Sequence, residues 1–473
     1  MSLNFEKKID TRLIAILSFF FFLFNYWVHF PGEMTPDSNN QYAEALSHSF
    51  TDLHPPMMAF LWSFLIRFAD AAPAMLAFHL VFHWLGLYCI AAGLVKVEKK
   101  WAALLVLVAG FFPVLFFHNG FLHKDIGMAS TFITAFGLIF YFKIQEKKVP
   151  ILILLASVLL LVYGTLVRAN GIFALGPLVI YMYLNTHWQK KITVVLVCSV
   201  LVSVVALPLT QVFNKQVIGA RMLQSTYPLF LFDIVGIAKH SNDLQVLPES
   251  VRFSKEDLDK CYTPFWWDPL SPWGECKQKT QRFGKESKVS AEELNKRGEL
   301  KDVWVKAIAL YPLAYLEHRL KVFNSELYFL VPAYHCHYAV GCGVGQNIAH
   351  NIKLDYLKNN FLFWPVFWLV LGLVLIALQS KASLNAQSIA ARMLILSGVL
   401  YLLALSIIGI ATVNRYAYWS ILVILLGAIL AYPQLEQAAY KNKKWLLAGT
   451  VFLVLTVVAG LLSRVFDFTY LVI

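Results

Sequence analysis

A small set of ionisable residues carries most of the chemistry that this sequence offers. Asp37 follows the first long apolar run, and Lys124, Arg168 and Arg415 each lie at the end of a later apolar run. A guanidinium or ammonium group matches the oxygens of a phosphate. A carboxylate within hydrogen-bond reach of a hydroxyl can remove its proton as a general base. These residue types together predict transfer chemistry on a substrate that carries a phosphate.

The pattern suits a sugar linked to a lipid phosphate. The three cations would bind the donor phosphate, and Asp37 would activate the acceptor hydroxyl that attacks the sugar. Because the phosphate is already a good leaving group, a second carboxylic acid is dispensable here, whereas glycosidases use two. Neighbouring polar residues are expected to contact the substrate: Gln41, Tyr42, His54, His123, Asp125, Asn170 and Tyr416.

Each of these residues also has a purely structural interpretation. Asp37 could cap the short helix that follows it. Lys124 and Asp125 could form a local ion pair at a helix start, and Arg168 and Arg415 could snorkel to lipid headgroups. The shared depth of all these residues relative to the apolar runs favours a common site over separate structural roles.

The elements that must position these residues are apolar runs that recur along the whole chain. Hydrophobic residues make up 59% of the 473 residues and charged residues only 14%, against roughly 25% charged in soluble proteins. The composition predicts an all-α polytopic membrane protein with about 11 spans of bilayer length. The predicted spans are 13–30, 73–95, 101–117, 125–142, 149–166, 171–186, 192–213, 359–379, 390–411, 416–432 and 444–462.

Charge in the loops predicts the orientation of the spans. Lysine and arginine concentrate at the N-terminus and in five loops, 96–100, 143–148, 187–191, 381–392 and 441–444. These all fall on one side, which the positive-inside rule makes cytoplasmic. The C-terminus is then outside, and the net charge of +12 needs no nucleic-acid partner. Residues 57–69 are apolar but too short to cross, so an amphipathic helix at the outer interface is expected.

The spans divide the chain into three predicted regions. Residues 1–213 form an N-terminal transmembrane core whose first outer loop, 31–72, contains Asp37. Residues 214–358 form an extracytoplasmic domain, and 359–473 form the C-terminal transmembrane helices.

Four of the six cysteines lie in the predicted outer domain, at Cys261, Cys276, Cys336 and Cys342. Four cysteines in an oxidising compartment suit two disulfides. The short separations favour pairing 261 with 276 and 336 with 342, although three pairings exist. A metal site around Cys336 is the rival interpretation, but the segment lacks a CxxC pair. We predict no obligatory metal or other cofactor.

The first outer loop resembles that of the GT-C superfamily of membrane glycosyltransferases. The resemblance rests on Asp37 after the first span, on His54-Pro55-Pro56 and on the interfacial helix that follows. This superfamily includes protein mannosyltransferases and lipid A aminoarabinose transferases. Further similarity to bacterial members lies in Lys124-Asp125, RANG at 168–171, LFLFDIVGIA at 229–238 and Arg415-Tyr416. The resemblance covers residues 10–215 best and does not extend to 240–358.

The resemblance implies an inverting enzyme of the bacterial inner membrane that takes a sugar from a polyprenyl-phosphate carrier on the outer face. The acceptor would be an envelope glycan, a lipid or a protein, and Asp37 would be the catalytic base. Many members have Asp-Glu at the first motif, whereas this chain has Asp37-Ser38. A role that needs two adjacent carboxylates, such as metal binding, is therefore in doubt.

Two other functions remain open from the sequence. One is an O-antigen polymerase or ligase that moves oligosaccharides from a diphosphate carrier. The other is a transporter of a lipid-linked glycan, which the lack of charge within the spans disfavours. Trp266, Trp267 and Trp273 could stack on sugars or form the core of the outer domain.

Overall fold

The computed structural model describes residues 9–68, 71–223, 226–248, 251, 253–280, 298–332, 359–380, 384–441 and 443–466. These residues are predominantly α-helical and contain isolated β-bridges but no strand. Seven helices are long and apolar enough to cross a membrane, which indicates a multi-pass membrane protein.

The helices form two groups along the chain. A long segment, residues 217–364, separates the two groups, and we call it the insert. The helices before the insert are α1 (Thr11–His29), α2 (Pro36–Ser47), α3 (Met57–Leu65), α4 (Ala71–Lys96), α5 (Lys100–Ala109), α6 (Pro113–His118), α7 (Lys124–Lys143), α8 (Ile151–Val167), α9 (Gly171–Tyr183), α10 (Thr186–Gln189) and α11 (Ile192–Gln216). Those in the insert are α12 (Tyr227–Ser241), α13 (Lys255–Cys261), α14 (Lys277–Thr280), α15 (Glu299–Leu310) and α16 (Pro312–Glu326). Those after it are α17 (Pro365–Gln379), α18 (Ala386–Ile408), α19 (Tyr418–Lys441) and α20 (Lys443–Val465).

Each predicted span coincides with a helix of this set, but not every helix is long. Besides the seven long helices, α5, α8, α9 and α17 are apolar but shorter. The predicted span 101–117 is interrupted: α5 ends at Ala109 and α6 begins at Pro113. Proline lacks a backbone N–H and fits the first position of a helix, so Pro113 starts a new helix rather than continuing the old one. The count of 11 crossings stays a prediction.

The bundle has a buried centre and an apolar periphery. Helix α4 packs along α7, α7 along α8, and α18 along α19. By contrast, only 11% of the most apolar window of α11 is buried, and only 17% of that of α20. Apolar helix faces that stay exposed in the monomer match a lipid environment, where all backbone polar groups are satisfied within the helix.

The insert has a hydrophobic core of its own. Helix α12 packs against α15 and α16, and Leu231 and Phe232 are almost fully buried between them. At the centre lies the buried carboxylate of Asp233, which accepts a 2.7 Å hydrogen bond from Trp304 Nε1 and pairs with Arg319. The LFLFDIVGIA motif at 229–238 therefore forms the central helix of the insert.

A disulfide joins Cys261 and Cys276, with Cα atoms 5.9 Å apart, which is the pairing that the short separation favours. Cys336 and Cys342 lie outside the described residues, so their pairing stays a prediction.

Candidate active site

Asp37 occupies the first turn of α2, where its carboxylate is not used to cap the helix. Thr35 is the N-cap residue and its side chain accepts from the backbone N–H of Ser38, while Pro36 takes the first helical position. Threonine before proline is a favoured helix start. The interpretation of Asp37 as a helix cap is therefore wrong, because the helix begins one residue before it.

The carboxylate of Asp37 instead faces residues from two distant parts of the chain. Its Oδ2 accepts a 3.0 Å hydrogen bond from Arg415 Nη2 and lies 3.6 Å from Lys124 Nζ. Its Oδ1 lies 3.9 Å from Nε2 of His54. Within the described residues, Lys124 at the start of α7 pairs with Asp37 rather than forming the local ion pair with Asp125 that the structural alternative required.

Asp125 is the second carboxylate of the site. Its Oδ1 lies 2.9 Å from Arg168 Nε, and its Oδ2 lies 3.5 Å from Arg415 Nε. Arg415 thus bridges both carboxylates, with two different nitrogens of its planar guanidinium each facing one of them. Arg168 and Arg415 are buried and paired, so their interpretation as snorkelling side chains is wrong.

We call this set the charge cluster; it comprises Asp37, His54, Lys124, Asp125, Arg168 and Arg415. Asp37 has 29% of its side chain exposed and His54 19%, whereas the other four are 10% exposed or less. The cluster therefore opens to solvent at Asp37. Three buried cations against two carboxylates leave one net positive charge, and uncompensated buried charge is costly. Such a site is electrostatically suited to an incoming anion.

The pKa values of the exposed members follow from their neighbours. Burial raises the pKa of Asp37, but Lys124 and Arg415 outweigh that effect, and the net pKa lies well below the ordinary value. Burial and the positive charge of Lys124 lower the pKa of His54 to about 3, so this imidazole is neutral at pH 7. Its Nδ1 then accepts the 2.8 Å hydrogen bond from Lys124 Nζ and orients the ammonium.

The other residues predicted to bind substrate are Gln41, Tyr42, His123, Asn170 and Tyr416. Gln41 is buried and donates from Nε2 to the backbone carbonyl of Asp37, at 3.2 Å. Tyr42 packs on Trp62, with ring centroids 5.4 Å apart, and His123 stacks on Phe121. These three contacts hold the side chains of Gln41, Tyr42 and His123 in place.

Tyr416 lies beneath both arginines of the cluster. The guanidinium of Arg168 is 4.5 Å from its ring centroid and that of Arg415 is 5.5 Å away. Cations over an aromatic face are held in place electrostatically. Asn170 precedes α9 without a capping side-chain hydrogen bond, and no ion pair or hydrogen bond connects it to the cluster within the described residues.

Hydrogen bonds between segments that are distant in the sequence position the elements that carry the site. Ser38 Oγ donates to the carbonyl of Leu122, at 2.7 Å, which fixes the start of α2 beside the start of α7. His118 Nε2 and Asn414 Oδ1 are 2.9 Å apart, which links α6 to the turn that carries Arg415. Sequence reasoning missed these pairs, because no local pattern connects residues so far apart in the chain.

Two buried histidines within a membrane-crossing helix were also missed. His79 and His83 are fully buried in α4, one turn apart. His83 Nδ1 lies 3.4 Å from the hydroxyl of Tyr418, which donates to Asn119 at 2.6 Å. Polar groups are therefore not confined to the ends of the spans, as the sequence had suggested. A polar side chain inside an apolar helix was the available signal.

The described residues contain no group of three or more histidine, cysteine, aspartate or glutamate side chains arranged to hold a metal. The expectation that no metal is obligatory stays a prediction. Comparisons of the chain with protein-family models, with curated proteins and with solved structures return no match.

Proposed function

We propose that this protein is a membrane glycosyltransferase that moves a sugar from a polyprenyl-phosphate donor to an envelope glycan, lipid or protein. The observation that carries the proposal is the charge cluster: a partly exposed carboxylate in front of three buried cations, with one net positive charge. A phosphate needs such cations, and an attacking hydroxyl needs such a base. The loop charges favour placing this site on the outer face of the membrane, and the resemblance of the first outer loop to the GT-C superfamily favours a bacterial inner membrane.

The reaction follows from these roles. The acceptor hydroxyl oxygen forms a bond to the anomeric carbon, and its proton goes to the carboxylate of Asp37. The bond between the anomeric carbon and the phosphate oxygen breaks, and polyprenyl phosphate leaves with the bonding electrons. Lys124, Arg168 and Arg415 stabilise the charge on that phosphate. Attack from the side opposite the phosphate inverts the anomeric centre.

The low pKa of Asp37 gives donor binding a second role. A carboxylate held far below its ordinary pKa is a weak base. Lys124 and Arg415 both face Asp37. A donor phosphate at the same cations offsets their positive charge, which raises the pKa of Asp37. The base is therefore strengthened only when the donor is in place.

The test uses purified protein in nanodiscs, radiolabelled polyprenyl-phosphate hexoses and membrane extract from the source cell. We expect the wild type to label an acceptor. Asp37→Asn should lower the rate by about 10² to 10⁴, the usual contribution of a general base. Glu98→Gln is the matched control, because its side chain is 79% exposed, and it should keep full activity.

Two results would contradict the proposal. One is full transfer by a folded Asp37→Asn protein. The other is that no monophosphate donor supports transfer. In that case the protein would instead transfer sugar from a diphosphate-linked oligosaccharide, or move an intact lipid-linked glycan across the bilayer. These outcomes would favour the polymerase or the transporter, respectively.

A further inference from the structure

The insert brings one more carboxylate, Asp268, towards the charge cluster. It belongs to residues 264–271, which we call the Trp-Asp loop. The backbone N–H of Trp267 donates to the carbonyl of Ile410 at 3.0 Å, and that of Thr412 donates to the carbonyl of Phe265 at 2.6 Å. These bonds fix the loop against the segment that runs directly into Arg415.

The Trp-Asp loop is rigid at its other end as well. The disulfide between Cys261 and Cys276 encloses it, and the backbone N–H of Cys276 donates to the carbonyl of Pro269 at 2.9 Å. The hydroxyl of Ser271 donates to the carbonyl of Asp268 at 2.6 Å. A side chain on a loop fixed in this way is preorganised for a ligand.

Within the described residues, the carboxylate of Asp268 makes neither a hydrogen bond nor an ion pair, although the residue is half-buried. Burial, and then the negative charge of Asp37, raise the pKa of Asp268. A carboxylate that the described protein groups leave unpaired can accept hydrogen bonds from a ligand rich in hydroxyl groups.

We propose that Asp268 binds hydroxyl groups of the donor sugar and so determines which sugar is accepted. This inference rests on the proposed function, because it is the phosphate at the charge cluster that brings the attached sugar beside the Trp-Asp loop. Trp273, within the loop that the disulfide closes, is 64% exposed and lies 5.6 Å from Trp267 between ring centroids, so it offers an aromatic face on the same segment. A divalent cation between Asp37 and Asp268 is disfavoured, because Lys124 and Arg415 already face Asp37.

The test compares binding of two probes in nanodiscs by calorimetry: farnesyl phosphate, and farnesyl phosphate linked to mannose, glucose or galactose. In the wild type, at least one sugar should increase the affinity over farnesyl phosphate alone. Asp268→Asn should remove about tenfold or more of that increase, the size of a hydrogen bond to a charged group. Its affinity for farnesyl phosphate should not change, and Asp268→Glu should restore part of the increase.

Asp259→Asn is the matched control in the insert, since that side chain is 67% exposed. The inference is overturned if no hexose adds affinity in the wild type, if Asp268→Asn weakens both probes equally, or if the sugar contribution disappears with EDTA. In each of these cases, the proposed function still stands if farnesyl phosphate binds and its binding depends on Arg415. Failure of every probe to bind overturns the proposed function and this inference together.

Discussion

Replacing Arg415 by glutamine tests the charge cluster most directly, because this one side chain contacts both carboxylates. Its NH2 lies 3.0 Å from Asp37 and its Nε lies 3.5 Å from Asp125. At an effective dielectric constant of ~20, a contact of this length is worth about 5 kcal/mol before desolvation is counted. Breaking a buried pair costs about 3 to 5 kcal/mol, and Asp125 still keeps Arg168. We therefore expect a loss of about 3 kcal/mol in stability.

The same change should weaken binding of farnesyl phosphate. A lost hydrogen bond to a charged group costs about 1.5 to 3 kcal/mol, which is about a tenfold to hundredfold rise in Kd. Arg415→Lys should be intermediate, because an ammonium keeps the charge but lacks the rigid, planar set of donors that faces Asp37 and Asp125. Calorimetry in nanodiscs gives Kd, and thermal unfolding gives the stability.

The matched control is Arg67→Gln, which removes an exposed guanidinium just beyond α3 and should change neither quantity. If Arg415→Gln binds farnesyl phosphate like the wild type, the cluster is not the phosphate site. If its thermal stability is also unchanged, the bridge between the two carboxylates does not exist in solution.

Two further predictions concern the insert. Replacing both Cys261 and Cys276 by serine opens a loop with a sequence separation of 15. The free energy of unfolding should fall by about 3 kcal/mol, the usual contribution of a disulfide that closes a loop of this size. Denaturant unfolding measures this change, and an unchanged midpoint would contradict a structural disulfide. Burial raises the pKa of Glu326 to about 8, so the folded state binds a proton that the unfolded state releases near its ordinary pKa. Stability should therefore fall as pH rises from about 5 to 8 in the wild type, and this slope should flatten in Glu326→Gln; equal slopes in the two proteins would refute the assignment.

The positions of the helices were largely predictable, since each depends on a local pattern. Apolar runs predicted the membrane helices, and the start of α2 could have been placed from Thr35 and Pro36 by helix-capping preferences. The prediction failed where two local signals competed. The run 101–117 is apolar throughout, yet Pro113 interrupts it.

The membership of the site was predictable in outline, but its pairings were not. Asp37, Lys124, Arg168 and Arg415 were recognised because ionisable residues of complementary types share one depth at the ends of separate apolar runs. Which carboxylate each cation faces depends on the rotation and tilt of separate helices, and no sequence pattern states these. Asp268 was missed for the same reason, since backbone hydrogen bonds with residues 410–412, far away in the sequence, hold its loop against the segment that leads to Arg415.

By itself the sequence determined that this chain is a helical membrane protein with several ionisable residues near the ends of its apolar runs, because bilayer length and hydrophobicity are local properties. Only the tertiary structure decided that Arg415 lies between Asp37 and Asp125, that Lys124 turns away from its neighbour Asp125, and that His54 orients Lys124. Buried charges are stable only with partners. Packing of α2, α7, α8 and the turn before α19 brings those partners together across hundreds of residues.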